Sequence, residues 1–279
     1  MGFSALFVRW AAAPGPVIGF YRMVLSSAIL TPFALSARQR ARGLPGAGLR
    51  LALLAGLFLA VDLALWNTAV NITTAANATL FGNSAPLWVA LATWLLFGER
   101  LNGRFWMGLS LTLVGAAAVL GGDFLRHPTV GVGDLLSLAA GIFYRGYYLA
   151  TERGRKHLGS TTYVWLVGLA SSFALLVFSL ALRLPLTGYS LRTYLAFVGL
   201  ALITQVVGYV AAGYALGHLP ASVVSPSMVG QPLVTALLAI PFLGERLSPW
   251  QWAGGTTVIT GILLVHLSRP STNQGVSAR

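Results

Sequence analysis

The chemistry open to this chain sits in a few polar residues embedded in long apolar stretches. Asp62 is the only charge in Leu51–Val70, and Arg145 lies near the middle of Leu135–Thr151. Ser84, Gln205 and Gln231 fall close to the midpoints of three further stretches. Helical spacing aligns Asp62 with Trp66, Gln205 with Tyr209, Arg145 with Gly141 and Tyr148, and Ser227 with Gln231 and Thr235. A charge at the centre of a bilayer costs roughly 2.5–3.5 kcal/mol on insertion scales, so each of these must meet a partner or water. The expectation is one central cavity lined by Asp62, Trp66, Ser84, Arg145, Tyr148, Gln205, Tyr209 and Gln231. Two arrangements meet the electrostatic need. Asp62 and Arg145 either pair and brace the bundle, or stand apart and bind the two ends of a zwitterion. In the second case Arg145 takes the carboxylate and Asp62 the ammonium. For Ser84 and Gln205, hydrogen bonding between helices is an equal alternative.

Other chemistries find little support. Cysteine is absent, so disulfides, cysteine nucleophiles and cysteine metal sites are excluded. The four histidines, His127, His157, His218 and His266, fall near helix ends or in loops. No His-Glu-x-x-His, Gly-x-Ser-x-Gly or phosphate-binding glycine loop occurs, so no catalytic residue, metal ligand or cofactor is assigned. The chain is therefore read as a non-enzyme, with an intramembrane enzyme and a purely structural membrane protein as the alternatives. The net charge of +12 comes from basic residues in short loops between apolar segments. No continuous basic face is available for phosphates, which argues against nucleic acid. The implied partners are a small-molecule substrate and the lipid bilayer, with a homodimer left open.

The elements that must position these residues are membrane helices. Of the 279 residues, 56% are hydrophobic and 9% charged, against roughly 25% charged in soluble domains. A spanning helix needs about 20 mainly apolar residues. The candidates are Val17–Leu35, Leu51–Val70, Thr73–Phe97, Phe105–Leu120, Leu135–Thr151, Tyr163–Leu182, Tyr194–Leu216, Ser222–Leu243 and Pro249–Leu267. An apolar opening segment precedes them, too short to span and expected to end near Ala12, before Pro14.

The chain repeats itself. Ser84-Ala-Pro-Leu through Gly98-Glu-Arg-Leu101 returns as Gly230-Gln-Pro-Leu through Gly244-Glu-Arg-Leu247, 146 residues later. The register holds without a gap from Ala69/Ala215 to Gly108/Gly254. It predicts two units, residues 1–121 and 132–268, and a cytoplasmic tail over 269–279. Each unit has five helices, the first of them truncated in the first unit. Five is odd, so the second unit enters the membrane from the opposite side, an inverted-repeat plan common in secondary transporters. Arginine placement supports this. A cytoplasmic C-terminus puts Arg38, Arg40, Arg42, Arg50, Arg100, Arg104, Arg153, Arg155, Lys156 and Arg269 on the cytoplasmic side. Arg126, Arg183, Arg192 and Arg246 then face outward, even with Arg9 and Arg22 added to them. The expected fold is an all-α integral membrane protein: a ten-helix, five-plus-five inverted-repeat bundle in the cell (inner) membrane.

Within the repeat, Pro86 and Pro232 are expected as matched kinks in helix interiors, where proline removes a backbone hydrogen bond. Gly98, Glu99 and Arg100, with Gly244, Glu245 and Arg246, close the helices that follow. Glycine can end a helix in the left-handed conformation. A gate on each face is the functional alternative to a simple cap.

The doubled Pro-Leu-x10-Gly-Glu-Arg-Leu pattern resembles the EamA-type permeases of the drug/metabolite transporter superfamily. Phe20-Tyr21-Arg22-Met23 and the late glycines Gly115 and Gly261 are similar to that family as well. The resemblance covers nearly the whole chain. It implies a ten-helix exporter of amino acids or other small metabolites working by alternating access.

Overall fold

The computed structural model describes residues 4–40, 45–120, 130–234, 237 and 248–268, and among these it contains helices and no strand. In chain order they are α1 (Ser4–Ala11), α2 (Gly15–Arg40), α3 (Gly46–Ile72), α4 (Ala75–Gly82), α5 (Ala85–Phe97) and α6 (Gly103–Leu120). The second half supplies α7 (Val132–Gly154), α8 (Ser160–Ala181), α9 (Leu191–Leu216), α10 (Ala221–Met228) and α11 (Pro249–Leu267). Among the described residues, six segments are long and apolar enough to cross a bilayer unaided: Gly15–Ala37, Gly46–Ile72, Ala75–Phe97, Gly103–Leu120, Ser160–Ala181 and Leu191–Leu216. The protein is an all-α, multi-pass membrane protein. α7 and α11 are of similar length.

The 146-residue register extends beyond the motif that revealed it. α4 and α10 match at both ends, and α6 and α11 match at their starts. Equivalent helices pack antiparallel. A Cβ on Gly108 would lie 2.7 Å from the carbonyl oxygen of Gly261, and one on Gly115 would lie 2.7 Å from that of Gly254. Gly108 and Gly115 are the repeat equivalents of Gly254 and Gly261, so α6 and α11 cross on a local two-fold. Only glycine permits this approach, and in lipid such close packing supplies much of the association energy. α2 and α8 run antiparallel too: Gly19 faces Leu175, while Thr31 accepts a hydrogen bond from Trp165 Nε1 at 3.1 Å. The two halves are therefore inverted relative to one another.

Two segments expected to be continuous are broken. α4 ends at Gly82, the chain turns through Asn83 and Ser84, and α5 restarts with Pro86 in its first turn. α10 ends at Met228, turns at Val229 and Gly230, and helix resumes at Gln231 and Pro232. The prolines thus do not kink helix interiors. They sit where a helix restarts, a position at which the missing N–H costs nothing. Non-helical backbone at membrane depth is tolerated where it lines a cavity or is buried in protein. Gly98 closes α5 in the left-handed conformation at φ 66°, with its N–H on the carbonyls of Thr93 and Trp94. Gly244, Glu245 and Arg246, and the tail 269–279, lie outside the described residues.

α1 is eight residues long, about 12 Å at 1.5 Å per residue, and ends at Ala11. The corner after it, with Ala12 at φ 46°, is fastened by α3. Asn71 Nδ2 donates to the Ala13 carbonyl at 2.9 Å, and Asn67 Nδ2 donates to that of Gly15 at 3.2 Å. Two amides one turn apart on α3 thereby fix α1 and the start of α2 against the interior.

Candidate substrate site

The interior holds a cavity of about 550 Å³, within the ~300–1,000 Å³ range of small-molecule sites. Its walls come from both halves. Arg22 of α2, Asp62 and Trp66 of α3, Tyr144 and Tyr148 of α7, and Thr204 and Tyr209 of α9 line its depth. The two helix breaks contribute Gly82, Asn83, Val229 and Gln231, and most remaining lining atoms are carbon. Toward one face the walls continue through Arg9 of α1, Ala75 of α4, Leu120 of α6 and Gln251 of α11. Among the described residues, none from the opposite ends of the helices lines it.

Arg22 is the buried cation of this cavity. It is 2% exposed, two turns into α2, and covered by α1. Its Nε donates to Gln205 Oε1 at 3.0 Å and its Nη1 to Ser4 Oγ at 3.4 Å. The guanidinium carbon stands 5.3 Å from the centre of the Tyr209 ring. All of these contacts are neutral. Asp62 is 8% exposed on the facing α3. Among the described residues its carboxyl accepts no hydrogen bond and forms no ion pair within 4 Å, and Arg22 lines the same cavity. A guanidinium and a carboxyl therefore share one cavity without closing on each other.

The floor is aromatic. Tyr144 stacks on Tyr147 at 5.4 Å and tilts against Tyr148 at 4.7 Å, and Tyr209 lies 6.4 Å from Tyr144. Tyr209, Gln205 and Thr204 belong to Leu200–Tyr209, the part of α9 wound as a π-helix. Such widened turns recur at functional sites because they displace side chains from regular α-helical phase. Beyond the tyrosines the bundle is clasped by the end of α7. Glu152 Oε2 accepts from the Ala221 N–H at 3.0 Å, capping α10. Arg155 Nε donates to the Gly213 carbonyl at 2.7 Å and Nη1 to that of Leu158. Arg153 lies over the Phe97 ring at 3.9 Å.

The structure brings together Asp62, Trp66, Tyr148, Tyr209 and Gln231 as cavity-lining residues. Gln205 reaches the site through Arg22 rather than by lining it. Ser84 turns toward α7, where a Cβ on Gly141 would meet its Oγ at 2.7 Å, and it accepts a hydrogen bond from Trp88 Nε1 at 3.1 Å. Arg145 does not line the cavity. Gly141, Tyr144 and Tyr148 define the inward stripe of α7, and Arg145 sits at its edge, half-buried. Among the described residues Asp62 and Arg145 thus neither pair nor line the cavity together, and the arginine that shares the cavity with Asp62 in its depth is Arg22. Sequence reasoning missed Arg22 as a site residue because it lies close to the start of its apolar segment, where a cation passes for an interface anchor. Its place as the only charge in Val17–Leu35 was the available signal.

A family model described as the EamA-like transporter family matches the chain twice, over residues 1–121 and 131–267. The chain belongs to the EamA-like transporter family. It is a membrane transporter, and the two matches coincide with the two inverted halves. This EamA-like transporter is 29% identical over 219 residues to YwfM, an uncharacterized transporter of Bacillus subtilis (strain 168), covering 77% of this chain and 72% of that one. It is 28% identical over 235 residues to a probable terminal-alkyne amino-acid exporter of Streptantibioticus cattleyicolor, covering 82% and 75%. A probable amino-acid metabolite efflux pump of Escherichia coli (strain K12) is 24% identical over 177 residues, covering 60% and 59%. A solved crystal structure superposes with a TM-score of 0.72 at 19% identity, covering 95% of each chain, a likeness that establishes the fold alone.

Proposed function

We propose that this EamA-like transporter exports an amino acid or related zwitterion across the cell membrane by alternating access. The observation that carries the reading is the unjoined guanidinium of Arg22 and carboxyl of Asp62 on the walls of one cavity. Arg22 is placed to receive a carboxylate, Asp62 an ammonium, and the tyrosines and Trp66 the rest of the molecule. A buried charge is costly unless paired, so a zwitterion that meets both is favoured over an ion that meets one. Relatives named as amino-acid exporters support the same class.

With the C-terminus cytoplasmic, the clasped face holds Arg50, Arg100, Arg104, Arg153, Arg155 and Lys156, as the positive-inside rule requires. The open face is then external and the structure is outward-facing. Export proceeds when the Glu152, Arg153 and Arg155 contacts part, the cavity fills from the cytoplasm, and the bundle returns to the present arrangement. The chain has no cysteine, so single-cysteine labelling is clean. Gln251→Cys should react with an impermeant maleimide from outside and Arg100→Cys only after permeabilisation. Efflux of labelled amino acids from proteoliposomes tests the activity. Absence of efflux across a panel of neutral, acidic and basic amino acids would overturn the assignment.

A further inference from the structure

We propose that Gln205 acts as a neutral clamp: it fixes the Arg22 guanidinium while leaving its charge uncancelled for a substrate carboxylate. This rests on reading the cavity as a carboxylate site and assigns the residue that makes it one.

Gln205 is 1% exposed and lies in the π-wound part of α9. Its orientation is dictated by Arg22, since a guanidinium nitrogen only donates and must meet Oε1. That leaves Nε2 buried with no partner among the described residues. An orphaned buried donor is unfavourable, and few survive in native proteins. A glutamate here would remove the orphan and give Arg22 a counter-charge. The amide forgoes both. What it retains is an Arg22 held on its Nε side, with Ser4 on one Nη1 hydrogen and the Tyr209 face beside it. The remaining Nη hydrogens are the edge left for a carboxylate in the two-point geometry guanidinium favours. Gln205 is thus a positioning residue for Arg22, and its neutrality sets the anion preference of the site.

Two substitutions separate the clamp from a plain structural hydrogen bond. In substrate-free protein, Gln205→Glu should raise Tm by about 2–4 °C, as a buried cation gains its missing partner. Gln205→Leu, which leaves Arg22 Nε without an acceptor, should lower Tm by a similar amount. Sodium acetate, as the smallest carboxylate probe, should stabilise the wild type more than equimolar sodium chloride, and Gln205→Glu should abolish that difference. A fall in Tm for Gln205→Glu would show that Arg22 is already neutralised and would overturn the proposal. So would equal acetate protection of wild type and Gln205→Glu, or no acetate protection of the wild type. These readouts need no amino-acid transport, so a failed efflux assay with the expected Tm and acetate results would refute the substrate assignment and leave the clamp standing.

Discussion

Arg22 and Asp62 lie on α2 and α3 of the first half; 146 residues on, the second half has Gly168 and Gly208. The tyrosines run the other way. Tyr148 maps back onto Gly2, and Tyr209 onto Leu63. The backbone plan is thus duplicated and inverted, while the chemistry is divided: one half brings the charges, the other the aromatic floor and the amide that holds Arg22. The faces differ in the same manner. On the closed face α10 takes its N-terminal cap from another helix, through Glu152. On the open face α4 is capped by its own Thr74, which accepts from the Asn77 N–H at 3.0 Å. The repeat equivalent of Glu152 is Leu6, a cavity-lining residue. The inverted repeat is therefore symmetric in its helices and asymmetric in the side chains that line the cavity and cap the helices at its two faces.

The division can be broken at the charges first. Arg22→Gln and Asp62→Asn should each lower transport efficiency by about 100-fold, consistent with ~2–5 kcal/mol for truncating one side of a buried charge contact. Both proteins should still insert and remain monodisperse. Retained transport in both would remove the charges from the mechanism.

The scaffold should instead respond symmetrically. Gly108→Ala and Gly254→Ala, which are repeat equivalents, push a methyl against the partner helix's backbone carbonyls at 2.7 and 2.8 Å, so each should destabilise by about 1–3 kcal/mol, and by similar amounts. Thermal or denaturant unfolding in detergent measures this. Widely unequal losses would mean that the α6–α11 crossing is not a true two-fold.

Next comes the asymmetry of the faces. Glu152→Ala removes an N-terminal cap contact worth about 0.5–2 kcal/mol and should populate opening of the clasped face by that margin. Maleimide labelling of Val224→Cys, buried beneath the clasp, should accelerate in that background. Leu6→Ala, at the equivalent place in the other half, should leave it unchanged.

The smallest effect is expected at Arg145. Arg145→Gln should transport within about twofold of wild type, in keeping with substitutions away from buried networks. A loss matching that of Arg22→Gln would return Arg145 to the site.

Much of this was legible in the residues, and what was not has physical causes. The repeat was readable because motif and spacing recur together. Asp62 stood out because nothing else in its span is charged. The helix breaks were misplaced because a proline inside an apolar run reads as a kink. The turn chemistry that decides otherwise, Gly82-Asn83-Ser84 before Pro86, lies within a segment still apolar enough to span. The π-winding of α9 left no mark in composition or period, so the hydrogen bond from Arg22 to Gln205 could not be placed. Arg22 and Arg145 were exchanged because depth along a helix was judged from segment ends, while the covering α1 is too short to announce itself.

The direct test of a zwitterion shared between Arg22 and Asp62 is to bind its two halves separately. Affinity would be measured for a transported amino acid, its decarboxylated amine and its deaminated acid, in wild type, Arg22→Gln and Asp62→Asn. Wild type should prefer the amino acid over either fragment. Arg22→Gln should bind amino acid and amine alike, and Asp62→Asn should bind amino acid and acid alike. Unchanged preference for the intact amino acid in both variants would contradict the assignment.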